Sequence, residues 1–80
     1  MRLESISTEV LEECAEACSR YPAMRSPHEG YAILLEEVDE LWELVRVKQS
    51  QHDYVAMRRE AIQIAAMAMR FVHDLCRGST

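Results

Sequence analysis

Apolar positions recur at helical spacing in three stretches of the chain, separated by short polar breaks. In the first, Leu11, Ala15 and Cys18 form one line and Val10, Cys14 and Ala17 another, which predicts a helix from about Thr8 to Ser19 with a broad buried face. Ser7 is its expected N-cap, and Glu9, Glu12 and Glu13 suit the positive end of the helix dipole. Arg20-Tyr21-Pro22 ends it, because proline disfavours helical geometry in the residue before it. The second start is sharper. Ser26-Pro27-His28-Glu29 joins an N-cap serine, proline at the first helical position and glutamate three residues after the cap, the pattern of a capping box. From there to about Val47, Tyr31, Leu34, Leu35, Val38, Leu41, Trp42 and Val45 share one stripe of roughly 120°. Lys48-Gln49-Ser50-Gln51-His52 is a polar connection, and Asp53 caps a third helix that runs to about Cys76, with Gly78 after Arg77 as its stop.

Between Ala61 and Val72 that third helix has only two polar residues, Gln63 and Arg70. A surface helix carries a wide polar face, so this one is expected to be enclosed on most sides. Two other helices in an 80-residue chain cannot enclose it alone. The expected fold is therefore all-α, with one short and two long helices in a single domain over residues 1–80. Third helices would meet in a homodimeric or homotetrameric bundle.

Composition agrees and narrows the function classes. The chain is 49% hydrophobic with two Gly and two Pro, and it is rich in good helix formers. Its net charge of −5, without a basic run, argues against duplex nucleic acid, where affinity comes largely from neutralising phosphates. It suits divalent cations, or a phosphorylated ligand held through them. Three cysteines make no disulfide framework, the start Met1-Arg2-Leu3-Glu4-Ser5 lacks a signal-peptide core, and no run reaches membrane-spanning length. The expectation is a reduced, cytoplasmic protein without a membrane partner.

The strongest chemical signal is Glu36-Glu37-Val38-Asp39-Glu40. Glu29, Glu36 and Glu43 lie opposite the apolar stripe and read as a solvated face. Glu37 and Glu40 lie on its shoulder, interleaved with Ile33 and Leu44, where two like charges are costly to desolvate unless a cation neutralises them. On the third helix, Glu60, Gln63, Arg70 and Asp74 fall within about 80° of one another, with Met67 among them. Packed antiparallel, this line can face the Glu37/Glu40 shoulder and place three carboxylates and an amide oxygen in one pocket. Such hard oxygen donors suit Mg²⁺ or Mn²⁺.

At these residues the chain resembles the MazG-like all-α nucleoside triphosphate pyrophosphohydrolases, whose signature is Glu-Glu-x-x-Glu on one helix and Glu-x-x-Asp on the next. Glu36-Glu37-Val38-Asp39-Glu40 matches the first half, and Glu60-Ala61-Ile62-Gln63 matches the second except at its last position. The resemblance spans roughly residues 28–75. It implies an oligomeric bundle that binds Mg²⁺ (or Mn²⁺) and cleaves the α–β phosphoanhydride of a (d)NTP, releasing the monophosphate and pyrophosphate. It implies Glu37, Glu40 and Glu60 as metal ligands, with Gln63 where the family has Asp. Glu36, Glu37 and Glu40 become the catalytic set, Glu36 as a supporting residue or the group that orients water.

An amide oxygen can coordinate Mg²⁺ but carries no charge, so Gln63 should weaken the site or shift the load to Asp74. Arg70 is a candidate phosphate contact; Arg58 and Arg59 read better as surface ion pairs. Two competing readings are a catalytically reduced relative that binds metal or nucleotide, and a non-enzymatic helical oligomerisation module. Other metal patterns fail: no Glu has a His three residues later, as di-iron bundles need, and His28-Glu29 lacks the second His of a zinc protease. Cys14 and Cys18 read as core residues, Trp42 and the five Met as packing, and His52 and His73 as structural.

Overall fold

In the computed structural model, which describes residues 2–76, helices form where the capping signals stand, with one exception at the start of the chain. α1 spans Leu3–Arg20 and begins more than a turn before the expected Ser7 cap. Thr8 Oγ1 donates to Glu4 O at 3.0 Å, so its hydroxyl turns back along a continuing helix rather than capping a new one. Ile6 packs against the core, and that contact outweighs the mediocre helix propensity of the serines around it. The first helix is therefore not short; at 18 residues it nearly equals the 19 of α2. α2 spans Pro27–Val45, with Ser26 Oγ accepting from Glu29 N–H at 3.1 Å. The return half of the box is displaced by one residue, since the Glu29 carboxylate accepts from Arg25 N–H and Arg25 Nε.

α2 stops at Val45, two residues before the expected end, and a 3-10 turn over Gln49–Gln51 follows. His52 finds a role there: its Nε2 donates to the Val45 carbonyl at 3.0 Å and so caps the end of α2. α3 spans Tyr54–Leu75, with Asp53 Oδ1 accepting from Ala56 N–H at 3.0 Å. The expected stop at Arg77-Gly78 lies outside the described residues. The described residues contain no strand, and no helix among them is long and apolar enough to cross a membrane.

α3 lies in the middle. α1 packs along it in parallel, bringing Glu9 to Arg58 and Glu13 to Gln63; α2 packs antiparallel, bringing Gly30 to Phe71 and Glu37 to Glu60. α1 and α2 do not pack on each other. Val10, Cys14 and Ala17 of α1 meet Ile62, Ala66 and Met67 of α3 in a small core, with Ile33 and Leu34 of α2 against it. Only one of the two apolar lines on α1 is buried; Leu11, Ala15 and Cys18 face outward, because α1 touches a single partner helix. The segment between α1 and α2 is strapped onto α3 by Arg70, whose Nη2 donates to Pro22 O at 2.6 Å, and by Asp74, which accepts from Met24 N–H at 2.9 Å. Met24 is buried beneath that strap.

The apolar stripe expected on α2 is only half used. Leu34 and Leu41 pack inward, while Tyr31, Leu35, Val38, Trp42 and Val45 are exposed, Trp42 by 57%. The cause is Gly30. An added Cβ there would lie 2.6 Å from Phe71 Cδ2 and 2.9 Å from Leu75 Cδ1, so α2 turns its Gly30 edge onto α3 at close range. That rotation places Gly30, Glu37, Leu41 and Leu44 on the contact face and swings Trp42 away. α3 is likewise open on one side, where Ala61, Ala65, Ala68, Met69 and Val72 are exposed. Replacing Gly30 with valine should force the two helices apart. We expect a loss of roughly 1–3 kcal/mol, the usual cost of overpacking, seen as a lower urea midpoint; an unchanged midpoint would show that the close approach does not set the packing.

Candidate metal centre

Rotation of α2 about the Gly30 contact carries Glu37 from the shoulder of the helix into the α2/α3 junction, where it is half-buried. Glu40, one turn on, stays at the rim, and Glu60 approaches from the first half of α3. One carboxylate oxygen from each lies within 4.8 Å of the other two. Glu60 Oε2 is buried with no hydrogen-bond partner. Such an atom is expensive in a native structure and calls for a cation or proton to satisfy it.

The electrostatics follow from this crowding. Burial pushes the Glu37 carboxyl up from its ordinary value to about 7, and the neighbouring Glu40, Glu60 and Glu36 add to the rise. Glu60 is raised as well, first by burial and then by the close approach of Glu40, with Arg59 pulling weakly the other way. Oxygens within 4.8 Å can close on a hard divalent ion by small side-chain rotations, since Mg²⁺ bonds of about 2.1 Å set ligand oxygens roughly 3–4 Å apart. The donor set is all carboxylate oxygen. It fits Mg²⁺ or Mn²⁺ and disfavours softer metals.

An open cleft of about 530 Å³ adjoins the triad, lined by Glu36, Glu37 and Ile33 of α2, Glu13 and Arg20 of α1, and Gln63, Met67 and Arg70 of α3, among others. Glu36 therefore stands beside the triad on the cleft wall rather than within it. Gln63 also lines the cleft, but its Nε2 donates to Glu13 Oε2 at 2.8 Å and ties α3 to α1. Glu13 is a residue that the helical periodicity did not bring to the site. A carboxylate one turn after Glu9 on a helix parallel to α3 was its only signal.

Arg70 and Asp74 have other partners. Arg70 is buried, its guanidinium engaged by Pro22 O and the Met67 sulfur and set over the Tyr21 ring at 5.9 Å. Those contacts make it part of the strap rather than a group that reaches for phosphate. Asp74 lies at the far end of α3, against Met24 N–H and His73, and is not in the acidic group as a compensating acid. Arg58 forms the surface ion pair expected of it, with Glu9. Comparison with models of known families, with curated proteins and with solved structures gave no match.

A carboxyl that is harder to ionise in the folded chain than in the unfolded one binds its proton more tightly when folded. Its contribution is present below the unfolded value near 4.5 and is lost as pH rises through about 7. Thermal stability without divalent ions should therefore fall across that window through Glu37. In Glu37→Gln the slope between pH 4.5 and 7 should flatten and stability at pH 8 should rise; an identical pH profile in both proteins would mean that Glu37 is not desolvated.

Proposed function

We propose that the chain is a Mg²⁺- or Mn²⁺-dependent nucleotide pyrophosphohydrolase that cleaves the α–β phosphoanhydride of a (d)NTP, giving the (d)NMP and pyrophosphate. The observation that carries the reading is the approach of Glu37, Glu40 and Glu60 from two helices, with a buried Glu60 oxygen lacking a partner, beside an open cleft. Its sequence counterpart is the resemblance of Glu36-Glu37-Val38-Asp39-Glu40 and Glu60-Ala61-Ile62-Gln63 to the MazG-like pattern.

Glu37, Glu40 and Glu60 would hold the ion. A bound divalent ion neutralises charge on the polyphosphate and lowers the pKa of water at the site. Glu36, on the cleft wall, would accept a hydrogen bond from the attacking water and orient it. Gln63 and Glu13 steady one wall of the cleft by their mutual hydrogen bond, made through the Gln63 amide nitrogen, so that its amide oxygen would remain the expected ligand atom. Arg70 holds the Pro22 strap that closes the cleft end.

The assembly belongs to the same proposal. Tyr31, Leu35, Val38, Trp42 and Val45 of α2 and Ala61, Ala65, Ala68, Met69 and Val72 of α3 are exposed. By helical period both sets lie roughly 180° from the residues that line the cleft, so the two helices present one continuous apolar side with the cleft on the other. A second copy of the chain covering that side would give a four-helix core with two outward-facing sites. Patches of this kind are rare on monomers.

Two measurements test these readings. A panel of dNTPs and NTPs with Mg²⁺ or Mn²⁺ should yield pyrophosphate from at least one nucleotide, and Glu37→Gln should bring release down to background; no pyrophosphate from any nucleotide sinks the enzyme. Sedimentation velocity should find a dimer or tetramer that Trp42→Glu together with Ala65→Glu dissociates. A wild-type monomer at micromolar concentration would remove the assembly and leave the acidic triad to stand alone.

A further inference from the structure

The end of the bundle away from the acidic triad carries a second cluster, built from different donors. Because α1 runs parallel to α3, Cys18 in the last turns of α1 comes beside His73 and Asp74 in the last turn of α3. Cys18 Sγ, a ring nitrogen of His73 and a carboxylate oxygen of Asp74 all lie within 4.8 Å of one another. Asp74 is the fixed member, its side chain only 3% exposed. Its Oδ2 accepts from Met24 N–H at 2.9 Å and lies 3.4 Å from Arg70 Nε, and its Oδ1 meets His73 Nδ1 at 2.7 Å. Cys18 and His73 are exposed and can adjust. Cys14, one turn before Cys18, is buried with its thiol against that of Cys18.

We propose that Cys18, His73 and Asp74 form a binding site for a thiophilic divalent ion of the Zn²⁺ class, with the fourth position open to solvent and Cys14 behind it as a thiol donor to the Cys18 sulfur. The donor set decides the metal. One sulfur, one imidazole nitrogen and one carboxylate match the ligands of zinc and do not suit Mg²⁺, the reverse of the all-oxygen triad. Bonds of about 2.3 Å to sulfur and about 2.0 Å to nitrogen put tetrahedral donors roughly 3.5 Å apart. All three donors already lie within 4.8 Å; small rotations of exposed Cys18 and His73 reach that spacing, the His73 ring exchanging its hydrogen bond to Asp74 for the ion.

A bound ion would take sulfur from Cys18, nitrogen from His73 and one oxygen from Asp74, whose other oxygen stays with Met24 N–H and Arg70. Cys14, buried one turn before Cys18, backs the Cys18 sulfur from the core side. Asp74 is fixed in place by Met24 N–H, His73 and Arg70. One end of α3 thus offers a hard-ion site and the other a borderline-ion site.

Cobalt titration of the full chain under a phosphine reductant reads this directly. Co²⁺ should produce a near-ultraviolet sulfur-to-cobalt charge-transfer band, which Zn²⁺ removes and Mg²⁺ does not. Cys18→Ser should abolish the band, and His73→Gln should weaken Zn²⁺ binding roughly tenfold or more. Cys76→Ser and Glu37→Gln should keep the band, the latter showing that the site is independent of the acidic triad. Helicity by circular dichroism verifies that each variant folds, as the exposure of Cys18 and His73 leads us to expect. The proposal is overturned if folded wild-type chain gives no band, if the band survives Cys18→Ser, or if it depends on Cys76.

Discussion

Three carboxylates held together at the junction of two helices are the constraint on which this structure turns. Glu37 and Glu60 lose water and face each other and Glu40 within 4.8 Å. A fold that only needed to pack α2 on α3 would place apolar side chains there, and the chain has them to spare: Val38, Trp42 and Val45 stay outside while Glu37 goes in. Gly30 makes this arrangement sterically feasible by letting Phe71 and Leu75 come within a distance no other residue at position 30 allows. The cost of that burial is recovered when something positive neutralises the acids.

The same constraint explains the division of labour along α3. Its face toward α2 carries Glu60, and its face toward α1 carries the core residues Ile62 and Ala66 and the Gln63–Glu13 tie. Its C-terminal half anchors the loop through Arg70 and Asp74, and its remaining side is apolar and uncovered. No part of this helix is neutral filler. The cleft and the uncovered side lie on opposite flanks of the α2/α3 pair, so association through one leaves the other open to a ligand.

Much of this was legible in the sequence, and for definite reasons. Ser26 and Asp53 cap α2 and α3 as read, because capping is local chemistry decided within four residues. Glu37 and Glu40 could be paired because helical period is rigid enough to fix which residues share a shoulder, and Glu60 joined them through the resemblance of its motif. The start of α1 was not legible: Ser7 looks like a cap, and only the long-range packing of Ile6 against the core makes it helix interior. Nor were the partners of Gln63, Arg70 and Asp74. All three lie on one line of α3, yet Glu13, Pro22 and Met24 claim them from about 50 residues away, and periodicity within one helix says nothing about which neighbour arrives. The stripe on α2 was legible as apolar, but not how much of it meets α3, because the pull of Gly30 on the packing face is invisible in a pattern of hydrophobic positions.

If the acids are gathered for a cation, the ion should bind the folded chain far better than the unfolded one. Thermal unfolding at neutral pH, with Mg²⁺ or Mn²⁺ raised to about a hundred times its dissociation constant, should then add roughly 2.7 kcal/mol of stability, which for a domain of this size is on the order of 10 °C or more in Tm. That increase should vanish in Glu37→Gln. A Tm that neither ion moves, or one that rises equally in wild type and Glu37→Gln, would contradict the account.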